Sequence, residues 1–167
     1  MGLSGTYVLP VASPMSVAFR RESDEEHLEP KFELPIPPGP NLVTERGYAL
    51  IKARHDAIEA QLEGELGEEE RKKVLRDARY WRHQLASAQV APVPDGSKVT
   101  IGTRVSIDRA GKAQMLEIVG HDEADPGADK IAFSAPLARA LLEAEVGEEV
   151  EFPGPGQIVR VRAISVA

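Results

Sequence analysis

The strongest pattern of hydrophobic and polar positions lies between Thr44 and Val90, in two runs with helical spacing. The first run repeats at Tyr48, Ile51, His55, Ile58 and Leu62. The second repeats at Val74, Ala78, Trp81, Leu85 and Ala88. Alternating steps of three and four residues place side chains along one face of a helix, as in a coiled coil. The pattern therefore predicts that residues 44–90 form two antiparallel helices packed along these stripes.

A short acidic segment between the two runs predicts the turn of this hairpin. Gly64 and Gly67 interrupt the helical pattern, and glycine commonly ends a helix. Thr44 is a suitable N-cap for the first helix. The tip carries the glutamates Glu63, Glu65, Glu68, Glu69 and Glu70. The last three would lie in the first turn of the second helix, where the helix dipole favours negative charge.

From Ser97 onwards the period changes to the alternation that is typical of strands. The predicted strands are a first one at Val99–Ile107 that breaks near Gly102, and then Met115–Val119, Lys130–Phe133, Glu148–Phe152 and Ile158–Val166, the last two joined by a turn at Pro153–Gly156. A short helix is predicted at Pro136–Leu142, with proline in its first turn. Residues 97–167 should thus form a small antiparallel sheet with one helix, which makes the chain α+β.

Two segments lie outside these patterns. Residues 91–96 contain Pro92 and Pro94 and are predicted to be a stiff linker. Residues 1–43 are rich in proline and carry charges without periodicity, so we expect a disordered tail. Residues 15–19 precede the charged part of this tail, and Met15 is a second candidate for the start of the protein.

Composition and charge exclude several classes of protein. The chain has no cysteine, which excludes disulfides and thiolate metal sites. It has no apolar run of membrane-spanning length and no secretory signal pattern, so we expect a cytoplasmic protein without a membrane partner. The net charge is −7, and no segment is basic enough for an autonomous DNA-binding domain. The hairpin itself is neutral, with nine acidic and nine basic residues, and is divided into an acidic tip and a basic stalk.

Motifs in the second half of the chain resemble the C-terminal domain of Gre-type bacterial transcription factors, the GreA/GreB family. The motifs are Ile-Val-Gly-His-Asp-Glu-Ala-Asp-Pro at 118–126, Ser-Ala-Pro-Leu-Ala-Arg-Ala-Leu-Leu at 134–142 and Val-Gly-Glu-Glu-Val at 146–150. Asn41–Tyr48 and Ala88–Val90 resemble the two ends of the family's coiled coil. The resemblance covers residues 41–167 in the family's order, hairpin first and domain second.

The resemblance implies a fold and a partner. In the GreA/GreB family the C-terminal domain is FKBP-like and docks at the rim of the RNA polymerase secondary channel. The coiled coil enters the channel, and acidic residues at its tip help to hold a catalytic Mg²⁺ with which the polymerase cleaves backtracked RNA. We therefore expect a monomer that binds RNA polymerase, contacts the DNA and RNA of the elongation complex only indirectly, and is not itself an enzyme. The implied polymerase contacts are Asp122, Glu123, Asp125, Ser134, Pro136 and Arg139, with residues 122–125 in a solvated loop.

The tip departs from the family. The run Asp-Leu-x-Glu-Asn-Ala-Glu-Tyr is missing, so the tip glutamates are candidates for the shared Mg²⁺ but none is assigned, and no cofactor is expected on this chain alone. The arms are also short. Residues 44–63 span about 30 Å as a helix, and arms about ten residues longer, as in the cleavage factors, would reach about 15 Å further. This shortness indicates a short-coil variant of the family.

Three functions remain open from the sequence. The first is a regulatory factor that binds RNA polymerase and modulates elongation or competes with cleavage factors. Its variant is a genuine cleavage-stimulating factor that acts through the acidic tip. The second is a peptidyl-prolyl isomerase, suggested only by the implied fold and disfavoured because Phe133 and Phe152 are the only aromatic residues after Ser97. The third is a coiled-coil interaction module without a role at the polymerase.

Overall fold

The structure, a computed structural model, describes residues 33–152 and 156–167. The predicted disorder of residues 1–32, the alternative start at Met15 and most of the predicted turn at Pro153–Gly156 lie outside the described residues. The described residues belong to one compact unit. The α+β class is confirmed, with a helical pair followed by a sheet that carries one short helix.

The predicted hairpin consists of α1 (Glu45–Glu63) and α2 (Glu68–Ser87). The Thr44 hydroxyl caps α1 by accepting a hydrogen bond from the Gly47 amide at 2.9 Å. Ile51 in α1 and Ala78 in the middle of α2 are fully buried. Burial along the predicted stripes is uneven, since Tyr48 is exposed and Trp81 is only half-buried. A coiled-coil geometry for the pair stays a prediction.

The base of the hairpin is closed by two short strands that the sequence did not predict. β1 (Asn41–Val43) and β2 (Ala88–Val90) pair in parallel, with Leu42 opposite Gln89. The assignment of residues 41–43 to a disordered tail is therefore wrong, and so is the extension of the helical stripe to Ala88. The Asn41 side chain strengthens this closure by donating hydrogen bonds to the Gln84 carbonyl at 3.0 Å and the Ser87 hydroxyl at 3.1 Å.

Within the described residues the main sheet has five strands in the order β5-β4-β3-β7-β6. Their bounds are β3 (Thr103–Arg109), β4 (Lys112–Val119), β5 (Lys130–Ala132), β6 (Glu149–Glu151) and β7 (Ile158–Val166). The prediction of an antiparallel sheet is wrong at one edge, because β5 runs parallel to β4 with Lys130 opposite Glu117. The segment 120–129 connects β4 to β5 and contains 3-10 turns at His121–Glu123 and Pro126–Ala128.

The hydrophobic core lies between the main sheet and α3 (Pro136–Leu141). Ile107, Ile118 and Val159 from the sheet meet Ala138 and Leu141 from α3, and all are fully buried. Val99 and Ile101, which were predicted within the first strand, precede β3 but are also buried in this core. The inward positions of β3 alternate along the strand, as its sequence pattern predicts.

The hairpin base lies directly against the C-terminal domain, so residues 91–96 do not isolate one from the other. Gly120 marks a close backbone approach, because a Cβ atom there would lie 2.9 Å from the Leu42 carbonyl oxygen and 3.3 Å from Val43 Cα. Val43 is buried at this contact. None of the helices in 33–152 and 156–167 has the length and apolar character that a bilayer span requires.

Candidate functional site

The residues that the resemblance implies as polymerase contacts divide into two groups. Asp125, Ser134, Pro136 and Arg139 are exposed. Asp125 caps the 3-10 turn at 126–128, Ser134 and Pro136 lie at the start of α3, and Arg139 lies in its last turn. Asp122 and Glu123 differ, because both point into the contact between the domain and the hairpin. We call the turn that carries them, His121–Glu123, the acidic turn.

Glu123 is bound by the first arm of the hairpin. It is 7% exposed, which corrects the expectation of a solvated loop residue. Its Oε1 accepts a hydrogen bond from Arg46 Nε at 2.7 Å, and its Oε2 accepts one from the Thr44 hydroxyl at 2.5 Å. Lys130 Nζ lies 4.0 Å from Oε1. The buried carboxylate is thus compensated by hydrogen bonds and positive charge, as a buried ion requires.

Asp122 is bound by the second arm. The Tyr80 hydroxyl donates to its Oδ1 at 2.6 Å, and Gln84 Nε2 donates to its Oδ2 at 2.5 Å. Gln84 is 1% exposed although it lies off the predicted stripe. Burial, together with the hydrogen bond to Asp122, raises the pKa of the Tyr80 phenol well above its usual value. The two acidic residues of one turn therefore hold the two different arms.

Arg46 also links the hairpin to the main sheet. Its guanidinium contacts Glu117 on β4, and Glu117 receives a second hydrogen bond from Arg104 on β3 at 3.3 Å. Glu117 is 5% exposed. Burial alone would raise the pKa of Glu117, but the hydrogen bonds from Arg46 and Arg104 outweigh burial and hold its pKa below the usual value. Glu117 is therefore charged at neutral pH and depends on its arginines.

No single sequence signal marks these junction residues, because Arg46 and its carboxylate partners are far apart in the chain. Gly47 is an indirect signal. Glycine destabilises a helix, so its presence there suggests that another group packs too closely to leave room for a side chain. A Cβ atom at Gly47 would lie 2.8 Å from Glu123 Oε2. The glycine thus leaves room for the carboxylate that approaches the first turn of α1.

The tip glutamates Glu63, Glu65, Glu68, Glu69 and Glu70 are all exposed. Lys72 Nζ lies 3.3 Å from Glu68 and 2.9 Å from Glu69, as pairs within one helix. Among the described residues no group of three or more His, Asp or Glu side chains has the arrangement of a metal site. The tip glutamates are therefore available to a partner but do not form a metal site by themselves.

An open groove of about 490 Å³ runs between the 91–94 segment and the domain. Its apolar lining includes Ile101, Phe133 and Leu142. Phe133 is the one aromatic residue among the described residues that line it. An isomerase pocket with several aromatic walls is not formed there.

Comparison with known proteins agrees with the motifs of the C-terminal domain. The family described as "Transcription elongation factor, GreA/GreB, C-term" matches residues 94–167. The transcription elongation factor GreB of Xanthomonas axonopodis pv. citri is 34% identical over 136 residues, which cover 66% of this chain and 80% of that protein. GreA of Legionella pneumophila (strain Corby) is 36% identical over 88 residues, which cover 50% of this chain and 55% of that protein. The chain thus spans about half the length of this second relative.

One similar solved structure is a prokaryotic transcription elongation factor GreA/GreB from Nitrosomonas europaea, at 23% identity and a TM-score of 0.37. The alignment covers 76% of this chain and 98% of that one. The sequence relationship shows the family, because the GreB relative is 34% identical and is matched over 80% of its length. The chain belongs to the GreA/GreB family of transcription elongation factors.

Proposed function

We propose that this protein binds RNA polymerase at the secondary channel, with the C-terminal domain docked at the rim and the hairpin directed into the channel. It modulates elongation or competes with cleavage factors by obstruction. The observation that carries the proposal is the hairpin: short arms whose exposed glutamates lie at the end away from the domain. Family membership supplies the general partner, and the arm length supports the mode of action.

The docking surface in this proposal consists of Asp125, Ser134, Pro136 and Arg139. These four residues are exposed and are therefore free to meet a partner. Asp122 and Glu123 are engaged by Tyr80, Gln84, Thr44 and Arg46 within the chain. These contacts within the chain leave Asp122 and Glu123 outside the docking surface. Charged contacts of this kind set the association rate and the salt dependence of binding.

The short arms support obstruction. α1 has 19 residues, which corresponds to about 28 Å at 1.5 Å per residue. Carboxylate ligands hold Mg²⁺ at about 2.1 Å, so a tip that ends many ångströms short does not share the catalytic ion. Such a hairpin occupies the mouth of the channel and excludes a longer coiled coil. The protein would then inhibit cleavage by a full-length Gre factor as its concentration rises.

Stimulation of transcript cleavage is the second candidate, and the exposed tip favours it. Clustered carboxylates hold Mg²⁺ well when another protein supplies the remaining ligands. Glu63, Glu65 and Glu70 make no ion pair within the described residues. They would share the ion of the polymerase active site, which itself performs the cleavage. The groove with one aromatic residue, in contrast, gives no support to an isomerase.

Docking is tested by charge reversal on the full chain. Arg139→Glu is expected to weaken binding to core polymerase about tenfold, since an interface charge is turned against its partner. Lys112→Glu is the matched control, because Lys112 is also exposed but lies at the turn between β3 and β4. Its affinity should stay within about twofold of the unsubstituted protein. Equal affinities for both variants would remove Arg139 from the docking surface.

The mode of action is tested on backtracked elongation complexes. The protein alone should not rescue them, and increasing amounts should inhibit rescue by a full-length Gre factor. The triple substitution Glu68→Gln, Glu69→Gln and Glu70→Gln should change affinity or salt dependence only. Rescue by the protein alone, lost when Glu63, Glu65 and Glu70 are changed to Gln, would replace obstruction by cleavage stimulation.

A further inference from the structure

The acidic turn contacts both arms of the hairpin at once. Glu123 receives hydrogen bonds from Thr44 and Arg46 at the start of α1. Asp122, the preceding residue, receives hydrogen bonds from Tyr80 and Gln84 near the end of α2. A hairpin that is held through one arm is free to swing about that contact. Attachment of both arms to adjacent residues opposes this movement.

Arg46 adds a third attachment in another direction. It contacts Glu117 on β4, which Arg104 ties to β3. The guanidinium thus bridges two carboxylates, one on the acidic turn and one on the sheet. Glu117 and Glu123 are 5% and 7% exposed, and buried carboxylates need their partners more than exposed ones do. All three attachments join the base of the hairpin to the C-terminal domain.

The arms amplify any movement at the base. From Glu45 to the tip α1 spans about 28 Å, so a tilt of about 10° displaces the tip glutamates by about 5 Å. A displacement of this size exceeds the length of a hydrogen bond. The direction of the hairpin therefore decides what its tip meets once the domain has docked.

We infer that Arg46, Tyr80 and Gln84 are positioning residues that clamp the hairpin to the acidic turn and so set the place of its tip inside the polymerase channel. The clamp fixes the hairpin relative to the docking surface, since Asp125 lies two residues after Glu123, the last residue of the acidic turn. The consequence at the polymerase rests on the proposed function. The orientation itself belongs to the free protein and is measured without a partner.

The orientation is tested by spin-label distances. The chain has no native cysteine, so Glu65→Cys at the tip and Lys112→Cys on the domain give a single labelled pair. Pulsed EPR should find a narrow distance distribution in the otherwise unsubstituted protein. Arg46→Ala should at least double its width. Arg46→Lys should give an intermediate width, because an ammonium group does not bridge two carboxylates as a guanidinium does.

Two further variants keep the inference falsifiable if Arg46→Ala fails to fold. Tyr80→Phe removes the hydroxyl that binds Asp122 and keeps the ring, and should broaden the distribution to a smaller degree. Arg82→Ala is the control, because Arg82 pairs with Glu59 within the hairpin and not with the domain. Its distribution should match the unsubstituted one. If Tyr80→Phe and every folded Arg46 variant also match, the clamp is overturned.

Polymerase assays separate this inference from the proposed function. At saturating protein, Arg46→Ala should bind polymerase within about twofold of the unsubstituted chain but lose most of its effect on elongation. If the unsubstituted chain does not bind polymerase, the proposed function fails while the EPR result stands. If Arg46→Ala broadens the distribution yet acts like the unsubstituted chain, the orientation has no role at the polymerase and that part is overturned.

Discussion

Glutamates lie at both ends of the hairpin, buried at the base and exposed at the tip. At the base, Glu117 and Glu123 of the domain are nearly completely buried and receive hydrogen bonds from Arg46, Arg104 and Thr44. At the tip, the side chains of Glu68 and Glu69 are 86% and 84% exposed, and among the described residues each forms an ion pair with Lys72 of its own helix alone. The same residue type therefore holds the molecule together at one end and faces outward at the other.

The difference follows from solvation. A carboxylate in water is stabilised without any protein partner, and a pair between exposed charges contributes about 0–1 kcal/mol. A buried carboxylate has lost its water, so removal of its arginine leaves an uncompensated charge that is strongly destabilising. Substitutions at the base should thus affect stability and orientation, whereas substitutions at the tip should affect only what the tip contacts.

The largest expected effect comes from the packing near the base. Ile51→Ala should reduce the free energy of unfolding by about 3 kcal/mol, because Ile51 is fully buried and its removal leaves a cavity. Leu62→Ala, near the tip and half-buried, should reduce it by about 1 kcal/mol. Urea titrations followed by circular dichroism measure both. A single transition is expected for helices and sheet together, and separate transitions would show that the hairpin is independent of the domain.

Two glycines test the same comparison through backbone contacts. Gly120→Ala should destabilise by about 2 kcal/mol, since its Cβ would press on the Leu42 carbonyl at the base. Gly67→Ala at the tip should be close to neutral, because Gly67 has a φ of −62° and no atom within 4 Å of the added Cβ. Thermal unfolding of the two variants gives the comparison. Equal losses would contradict the close approach at Gly120.

Glu117→Gln tests the buried charge through pH. The lowered pKa of Glu117 means that its stabilisation is present above the usual glutamate pKa of about 4.5 and is lost as the pH falls through the lowered value. At pH 7 the substitution should destabilise by about 1.5 kcal/mol, through loss of charged hydrogen bonds. The difference from the unsubstituted protein should shrink as the pH falls through the lowered pKa of Glu117. A difference that stays constant from pH 7 to pH 3 would show that the charge contributes nothing.

The smallest effect is expected at the tip. Glu68→Gln, Glu69→Gln and Glu70→Gln together should change the free energy of unfolding by less than about 0.5 kcal/mol, since these side chains are exposed. Part of this change is the loss of favourable charge at the start of α2. Chemical unfolding at low and high salt measures it, and the difference should vanish at high salt. A loss of 2 kcal/mol or more would mean that the tip glutamates stabilise the fold through protein contacts, as Glu117 and Glu123 do at the base.

Much of the fold was predictable from local patterns. The structure has α1 and α2 on either side of Gly64 and Gly67, and β7 has the predicted bounds Ile158–Val166. The predicted strand at Met115–Val119 lies within β4, and the predicted helix at Pro136–Leu142 differs from α3 by one residue. These elements follow from periods of 3.6 and 2 residues and from turn residues, which act within a few positions of the chain.

The prediction failed where distant segments meet. β1 and β2 have three residues each and show no period, so only their pairing makes them strands. The parallel direction of β5 depends on the path of the acidic turn and the residues after it. The exposed positions Ser134, Pro136 and Arg139 agree with a surface site, and their contact with polymerase stays a prediction.

The sequence by itself determined the class of the protein, its helices, most of its strands, the acidic tip and the family motifs. Each of these depends on residues that are neighbours in the chain. Only the tertiary structure decided which carboxylates are buried. Glu117 and Glu123 contact an arginine more than 70 positions away, as the hydrogen bonds to Arg46 show. Burial and charge pairing arise when distant segments exclude water between them, and no local pattern of residue types records that event.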